Sequence, residues 1–500
     1  MTDTPADQQA ASPAKSLYRF RSTDALIGMR AELENLEIFF SSPEQLNDPL
    51  EGFKDFVWDG DAIVWKNHIR HYLLCLMHTL MTTMVMGGEY QAISEHDFTL
   101  HTEEDMPTPQ MREMYGDICG AFFADERAAA YPGLIAARGP IRRDEVLHYF
   151  RTLHGRAVTT ILQTFVKRRL GPESLVTGPM AAFGETQLLD DKYFALLAQV
   201  EVEAGKPGAR DALFAASTNT FEQMQLIRLC DDTVPQNGWT SILTDFPPVY
   251  IDRLDQLLYP DWYTACFTDN YSHTAMWGNY ADSHRGICLE FGVTADKSGK
   301  YRLPLYGQVG IGGNKDGTRP IFGWTDLQFD PVIYGESAIE VDFFRSLGRL
   351  GRQALVSSWF ANESGQRSIC ADEVLGENEE WRQAYWRRYH DAAIRKLRDW
   401  AHEGEHRLVL SAGLSGSKET AARKLKFKPE SLTGIIFGIR TTPSDKAKVI
   451  RIVQEKWAAG NQTCPDFYQA HYAPESGKIE RSKYGLLSGA ALSRSSSSRS

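Results

Sequence analysis

The sequence predicts an α+β protein: a small mixed or antiparallel β core assembled from discontinuous segments, with a large helical insertion and flanking helices. Strand-like alternation of apolar and polar residues occurs at residues 17–21 and returns at 262–268. Between these strands, residues 63–225 show helical periodicity with few β-branched runs. The content of 42% hydrophobic and 24% charged residues is ordinary for a globular protein. A β core interrupted by one long helical segment accounts for all three observations.

The individual elements follow from local patterns in chain order. The first half has a strand at 17–21, a short helix capped by Ser22 or Thr23, a strand at 38–40, a loop at 41–51 structured by two prolines and an Asn-Asp pair, and helices at 63–86, 111–130, 144–170 and 188–202. The second half has strands at 262–268 and 286–291 around a short helix at 272–281, a flexible Gly-rich loop at 307–317, helices at 337–360, 379–401 and 444–458, and strands at 407–410, 434–439 and 467–472.

These elements set the expected domain boundaries. The predicted parts are a discontinuous α+β domain at 17–57 and 260–475, a helical insertion at 58–230, a connecting loop at 231–259, a disordered N-terminus at 1–16 and a disordered Ser- and Arg-rich tail at 476–500.

Charge and cysteine content exclude several classes of protein. The 54 Lys and Arg against 65 Asp and Glu give a net charge of −11, which argues against a general polyanion binder but leaves room for a local basic groove. Seven scattered cysteines without a C-x-x-C pair indicate neither a disulfide framework nor a cysteine zinc site. The N-terminus lacks a secretory pattern, and the most apolar stretch, residues 72–86, is too short to span a bilayer. We therefore expect a cytoplasmic protein without a membrane partner.

Two acidic residues at the start of a late strand are the first candidate catalytic groups. Glu403 and Glu405 are two residues apart, so on a strand both carboxylates would project into one cleft. Paired carboxylates can orient a ribose hydroxyl or stabilise an oxocarbenium-like centre. The alternative is that they form ion pairs with Arg395, Arg398 or Arg407 on a solvated face.

The same segment matches a zinc-hydrolase pattern. His402-Glu403-Gly404-Glu405-His406 reads H-E-x-x-H, in which two histidines one helical turn apart bind zinc. That arrangement requires a continuous helix, whereas Gly404 interrupts the motif and a strand follows it. A zinc hydrolase is thus an alternative function, and we expect no metal.

A second cluster lies around the predicted helix at 272–281. Trp277 and Tyr280 are three residues apart, so they would share a helix face and could stack on a base or a nicotinamide ring; core packing is the alternative. His284 and Arg285, in the turn that follows, could bind phosphate or simply form a surface turn. Cys266 would need a nearby base to act as a nucleophile.

Several segments together resemble a bacterial family catalogued only as domain of unknown function 2971. The resembling segments are Tyr18-Arg19-Phe20-Arg21-Ser22, Phe40-Ser41-Ser42-Pro43, Asn47-Asp48-Pro49-Leu50-Glu51, Cys266-Phe267-Thr268, Met276-Trp277-x-x-Tyr280-Ala281, His284-Arg285-Gly286, and Trp400-x-x-Glu403-x-Glu405-x-Arg407, with weaker agreement at 435–438 and 470–473. The resemblance covers residues 17–475 apart from the helical insertion. It marks these residues as a shared motif and supplies no activity.

A more distant resemblance, to ADP-ribosyltransferases of the arginine-serine-glutamate type, does supply an activity. Its order would be filled by Arg19 or Arg21, then Thr268 (or Ser41 and Ser42), then Glu403 and Glu405. This resemblance implies that NAD is the substrate, that the Arg holds its phosphates, and that Glu405 assists attack on the ribose carbon as nicotinamide leaves. Thr268 departs from the pattern, since it stands in Cys-Phe-Thr where that family has Ser-x-Ser or Ser-Thr-Ser.

Two functional hypotheses follow. The first is an enzyme that binds a nucleotide-like small molecule such as NAD, with the protein or nucleic-acid acceptor left open. The second is a noncatalytic or nucleic-acid-directed module of a bacterial defence or stress system, with the helical insertion as sensor or partner surface. The first hypothesis requires Arg19, Thr268 and Glu405 to converge on one cleft.

Overall fold

The computed structural model describes residues 14–87, 98–177, 188–205, 208–233, 237–314, 317–376, 379–412, 419–460 and 462–487. The chain divides into two compact units. The first comprises Met1–Phe53, Pro260–Ile339 and His390–Ser500, and the second comprises Lys54–Tyr259 and Glu340–Tyr389.

The strands are numbered in chain order. They are β1 (Ala14–Arg21), β2 (Glu37–Phe39), β3 (Lys54–Trp58), β4 (Ile141–Arg142), β5 (Trp262–Thr268), β6 (Ile287–Ala295), β7 (Tyr301–Asn314), β8 (Gly317–Pro331), β9 (Ile333–Gly335), β10 (Ile339–Asp342), β11 (Arg395–Leu397), β12 (Glu405–Ser411), β13 (Lys424–Phe427), β14 (Leu432–Phe437), β15 (Asp466–Ala473) and β16 (Lys478–Lys483).

The helices are numbered in the same way. They are α1 (Thr23–Ile27), α2 (Glu32–Asn35), α3 (Ala62–Val85), α4 (Pro109–Phe123), α5 (Glu126–Ala136), α6 (Arg143–Lys167), α7 (Asp191–Ala204), α8 (Ala209–Leu229), α9 (Gly238–Arg253), α10 (Thr274–Tyr280), α11 (Arg352–Ala354), α12 (Ile369–Leu375), α13 (Glu379–Ile394) and α14 (Pro443–Ala459). A π-helical turn follows α11 at Leu355–Phe360.

Six strands of the first unit close into an antiparallel barrel. Their order is β6-β1-β5-β12-β8-β7, and β7 pairs back onto β6. Strands β14, β15 and β16 extend the sheet beyond β6, and β13 and β2 extend it beyond β7. The β14–β15 pair is parallel, so the sheet is mixed. The protein is therefore α+β as expected, but its β part is a closed barrel with extra strands rather than a small core.

Apolar side chains at alternate positions of the barrel strands fill the interior of the first unit. Leu17, Phe267, Phe291, Phe329 and Leu408 come from five barrel strands and belong to one buried apolar cluster. Their neighbours along each strand point the other way, because successive side chains of a strand alternate between its faces. The cavity described below is lined from both faces: Thr268 and Glu405 lie on the faces opposite Phe267 and Leu408, whereas Arg19 shares the face of Leu17.

The Gly-rich segment at 307–317 is a correction to the sequence prediction. Instead of a flexible loop, residues 307–314 are the second half of β7, which pairs with β8 from Gly317 onward in a long hairpin; residues 315 and 316 lie outside the described residues. Gly307 is needed there because a Cβ at that position would lie 2.8 Å from Cγ of the buried Leu425. Glycine in a strand often marks such a close approach, and a sequence pattern does not distinguish it from a loop glycine.

Other boundary predictions were also wrong. The connecting loop at 231–259 contains α9, capped by Asn237, which accepts a hydrogen bond from the Thr240 amide; two internal prolines concealed this helix. The helix expected at 337–360 is instead β10, a 3₁₀ turn, α11 and the π-helical turn. The disorder predicted at 1–16 and 476–500 is wrong where the structure has elements, since β1 starts at Ala14 and β16 occupies Lys478–Lys483; the parts of this prediction at 1–13 and 488–500 lie outside the described residues.

The second unit is mainly helical. Its longest helices, α3 and α6, bury Trp65, Tyr72, Tyr149 and Phe150 in an aromatic interior. Strand β3 pairs with β10 and β4 in a small separate sheet. No helix in the described ranges is long and apolar enough to cross a membrane.

The close approach at Gly307 gives a stability prediction. Gly307→Ala should lower the free energy of unfolding by about 1–3 kcal/mol, because the new methyl group must displace Leu425 from a packed core. Gly310→Ala is the matched control on the same strand, since a Cβ there meets nothing within 4 Å. Urea denaturation of both variants checks this. Equal midpoints for the two would contradict the packing argument.

Candidate active site

One cavity of the first unit gathers most of the sequence-predicted site residues. It has a volume of about 240 Å³. Strands β1 and β5, the loop after β2, α10, and the chain around β11 and the start of β12 line it. All of these segments belong to the first unit.

The register of three neighbouring strands brings distant residues together. Thr268 on β5 pairs with Tyr18 on β1 and with Glu405 on β12. Arg19 follows Tyr18, so Arg19, Thr268 and Glu405 come to the same end of the barrel, and all three line the cavity. The convergence that the enzyme hypothesis required is therefore present.

Glu405 is buried and paired with Arg407 on the same strand. Arg407 donates from Nε to Oε1 at 2.8 Å and from Nη2 to Oε2 at 3.0 Å. Residues two apart on a strand share a face, which permits this bidentate pair. Arg407 is fully buried, and its Nη1 also donates to the Ala393 carbonyl oxygen at 2.8 Å. The ion pair with Arg407, which the sequence offered as the alternative to a catalytic role for Glu405, is therefore present, but it is buried rather than solvated.

Glu403 reaches the cavity in a different way from the predicted one. It is the last residue of a 3₁₀ helix, Arg398–Glu403, and does not share the strand of Glu405. Gly404 turns the chain between them with a φ of 53°, a left-handed conformation that favours glycine. Both carboxylates nevertheless line the cavity.

Lys396 on β11 joins the two carboxylates. Its Nζ lies 2.7 Å from Glu403 Oε2 and 3.5 Å from Glu405 Oε2. Glu51, from the loop after β2, lies 2.6 Å from Arg407 Nη1 and 3.7 Å from Lys396 Nζ. Three buried carboxylates thus share two buried cations, Lys396 and Arg407.

The charged network shifts the pKa values of its members in different directions. Burial alone would raise the pKa of Glu405, but Arg407 and Lys396 lower it to about 2. For Glu51 burial outweighs the same cations, and its pKa is raised. Burial would lower the pKa of Lys396, but the carboxylates raise it. At neutral pH Glu405 is therefore ionised and Lys396 is protonated.

Tyr280 projects from the last turn of α10 into the cavity. Its hydroxyl donates to Glu403 Oε1 at 2.5 Å and lies 2.9 Å from the side-chain oxygen of Asn47. Burial and the neighbouring Glu403 raise the Tyr280 pKa, so the phenol stays protonated and serves as a hydrogen-bond donor.

Thr268 holds the backbone of the site. Its hydroxyl donates to the Glu403 carbonyl oxygen at 2.7 Å and accepts from the Asn270 amide at 3.1 Å. Both contacts are to main-chain atoms, so the Thr268 hydroxyl holds the backbone of Glu403 and Asn270 in place. Burial, followed by the charge of Glu405, raises the pKa of Cys266, which opposes a thiolate nucleophile there.

The two arginines of β1 line the cavity but are already engaged. Arg19 donates to the carbonyl oxygens of Phe39 at 2.9 Å and Cys266 at 3.4 Å, and burial lowers its pKa to about 10. Arg21 makes a bidentate ion pair with Glu32 of α2. A substrate phosphate would have to share these guanidinium groups with protein acceptors.

The other predicted residues of the loop after β2 make local contacts. Ser41 lines the cavity and forms a backbone bridge with Thr264 of β5. The Ser42 amide donates to the side chain of Gln45. The buried carboxylate of Asp48 accepts from the Leu50 amide at 2.9 Å. These contacts hold the loop that carries Asn47 and Glu51.

Three predicted binding residues are not part of the cavity. Trp277 is fully buried, packs edge-on against Phe20 and donates from Nε1 to the Tyr271 carbonyl oxygen, so the shared stacking platform with Tyr280 is wrong. His284 and Arg285 lie in the turn after α10, outside the cavity lining, and Arg285 lies 3.9 Å from Asp282. The core and surface-turn alternatives explain these residues.

The zinc-hydrolase pattern does not have its required geometry. His402 lies in the 3₁₀ helix and His406 on β12, so the two rings are not one α-helical turn apart. Within the described residues, no group of three or more His, Cys, Asp and Glu side chains is arranged to hold a metal ion.

Lys396 is the main residue that sequence reasoning missed. The predicted helix at 379–401 includes Lys396, and the sequence pattern does not single this residue out. The helix α13 ends at Ile394, and β11 then pairs in parallel with β9, which turns Lys396 inward. The short distance from Lys396 Nζ to the Trp400 ring, 4.6 Å, is a local contact that the sequence spacing does not reveal.

No family model, curated protein or solved structure matches the chain. The two motif resemblances therefore stay predictions.

The Arg407 network gives a second stability prediction. Arg407→Met should lower the free energy of unfolding by about 3–5 kcal/mol near neutral pH, because it leaves the carboxylates of Glu405 and Glu51 buried without their main cation. Arg398→Met is the control, since Arg398 pairs with Glu336 on the surface and its side chain is 74% exposed. Denaturant titration of both variants measures the difference. Comparable losses would show that the buried network is not required for stability.

The pH dependence of the same variant has a definite sign. In the wild type, folding lowers the pKa of Glu405 from 4.5 to about 2. Glu405 therefore stabilises the folded state at pH values above 4.5, and this stabilisation is lost as the pH falls toward 2. Without Arg407, burial should raise the Glu405 pKa instead. The destabilisation by Arg407→Met should therefore shrink as pH falls toward about 5. A loss that grows on acidification would contradict this assignment.

Proposed function

We propose that the first unit is an ADP-ribosyltransferase-like enzyme that uses NAD as substrate, with Glu405 as its key carboxylate. One observation carries the proposal: Arg19, Thr268 and Glu405, in the chain order of the resemblance, come from three neighbouring strands and line one cavity. We also propose a cytoplasmic location, which is supported by seven cysteines that are all free thiols.

The chemistry of this reaction suits an ionised carboxylate. The bond between the ribose carbon and nicotinamide breaks, the ribose carbon becomes positively charged, and the acceptor forms a bond to that carbon and releases a proton. A preorganised negative charge in a water-poor site stabilises this developing cation. With a pKa lowered to about 2, Glu405 is a poor base, so its role is electrostatic.

Glu403 and Tyr280 are suited to orienting a sugar hydroxyl. Each Glu403 oxygen receives one hydrogen bond, from Tyr280 or from Lys396, and a carboxylate oxygen can accept more than one. A ribose hydroxyl can therefore donate to Glu403 without displacing either partner. This places Glu403 beside Glu405 as a supporting binding residue.

The size and charge of the cavity suggest how NAD would lie. Its volume of about 240 Å³ is close to the lower end of small-molecule sites, which suits the nicotinamide and its ribose rather than the whole dinucleotide. The ionised carboxylate of Glu405 favours the positively charged nicotinamide. The pyrophosphate would then lie toward Arg21, in competition with Glu32.

The proposal is tested by following labelled NAD. Incubation with nucleic acid, protein lysate or buffer alone, using separate labels on nicotinamide and on adenosine, distinguishes transfer from simple hydrolysis. Nicotinamide release, with or without transfer of the adenosine label, supports the enzyme. Retention of nucleic acid without nicotinamide release in any mixture overturns it in favour of the noncatalytic module.

Glu405→Gln should lower the rate of nicotinamide release by at least about 10²-fold, the usual cost of removing an electrostatic stabiliser. The fold should survive, because Glu51 and Glu403 still balance Lys396 and Arg407. The matched control is Glu336→Gln, whose carboxylate pairs with Arg398 on the surface. Rates and melting temperatures of both variants are compared with wild type. Full activity of Glu405→Gln would remove Glu405 from the mechanism.

A further inference from the structure

An exposed aromatic surface lies on the outer face of the β7–β8 hairpin. Phe322 is 55% exposed, Trp324 51% and Tyr306 37%. Tyr306 pairs directly with Trp324 across the hairpin, and the ring centroids are 5.5 Å apart; those of Tyr306 and Phe322 are 6.5 Å apart. Three large aromatic side chains therefore form one continuous patch on a sheet, where core packing does not explain them.

A row of lysines borders these rings. Along β13 and the residue after it, Leu425 and Phe427 point into the core, so alternation directs Lys424, Lys426 and Lys428 to the opposite side. Lys426 pairs in register with Tyr306, and Lys428 Nζ lies 5.1 Å from the centroid of the Trp324 ring.

The charge of this border is positive on balance. Within the part of the chain that the structure describes, none of the three lysines forms an ion pair. Glu37 of β2 lies opposite Lys426, and Asp326 lies two residues from Trp324, so acidic groups also border the patch. The lysines outnumber these two carboxylates on a protein whose net charge is −11.

We propose that this aromatic–lysine face, formed by Tyr306, Phe322, Trp324, Lys424, Lys426 and Lys428, binds single-stranded nucleic acid. Proteins that bind single strands combine aromatic side chains, on which bases stack, with cationic groups that track the phosphates. Aromatic residues on an open sheet present their rings to unpaired bases. A duplex hides its base faces, and an apolar peptide would gain nothing from the lysines. The combination of flat rings and cations therefore selects an unpaired polynucleotide.

This surface is independent of the proposed enzyme activity. Its binding is measured without NAD, and none of its six residues lines the cavity that holds Glu405. Loss of one property thus leaves the other testable.

The experiment is fluorescence anisotropy of the full chain with a short, labelled, mixed-sequence single-stranded RNA, the same sequence as single-stranded DNA, and a duplex of equal length. Trp324→Ala and Phe322→Ala should each weaken single-strand binding by about 5- to 150-fold, the effect of losing one stacked base. Trp324→Phe should recover most of the loss, since it restores an aromatic ring. The matched control is Tyr472→Ala, which removes an aromatic residue that is 55% exposed on β15.

The lysines are tested through salt dependence. Replacing Lys424, Lys426 and Lys428 together by Gln should reduce the slope of log affinity against log salt by about 2, at roughly 0.7 per phosphate contact. No single-strand binding at low salt, equal effects of Trp324→Ala and Tyr472→Ala, or equally tight binding of the duplex would each overturn the proposal. Unchanged melting temperatures confirm that these surface variants are folded.

Discussion

The buried guanidinium of Arg407 is the constraint on which the site depends. An ion removed from water costs several kcal/mol unless it is paired and hydrogen-bonded. Arg407 meets that requirement with Glu405 from its own strand, Glu51 from the loop after β2, and the Ala393 carbonyl oxygen at the end of α13. Three separate chain segments are thereby held around one side chain, and two of them supply the cavity with its carboxylates.

The same pairing determines the chemistry that the cavity can support. Two cations hold Glu405 in its ionised form, which suits electrostatic stabilisation and disfavours proton abstraction. Glu51 lies beside the same two cations, but its pKa is raised. The cations therefore offset the effect of burial on the pKa of Glu405 but not on that of Glu51.

The first unit has two separate groups of residues that we propose to be functional, one at an end of the barrel and one on its outside. At one end, the registers of β1, β5 and β12 gather Arg19, Thr268 and Glu405 beside the cavity. On the outside, β7, β8 and β13 place Tyr306, Trp324 and Lys426 in adjoining register positions. In both arrangements, strand register brings together residues that are far apart in the chain.

The sequence by itself determined the α+β class, the strands carrying Arg19, Thr268 and Glu405, and the order of these residues, because alternation, turn residues and motif spacing are local properties. Only the tertiary structure decided that β6 meets β7, that Lys396 turns inward, that Trp277 is buried and that Gly307 lies within a strand. Each of these depends on a partner remote in the chain, such as Leu425 for Gly307. Strand register and helix termination fix those partners, and local periodicity does not encode them.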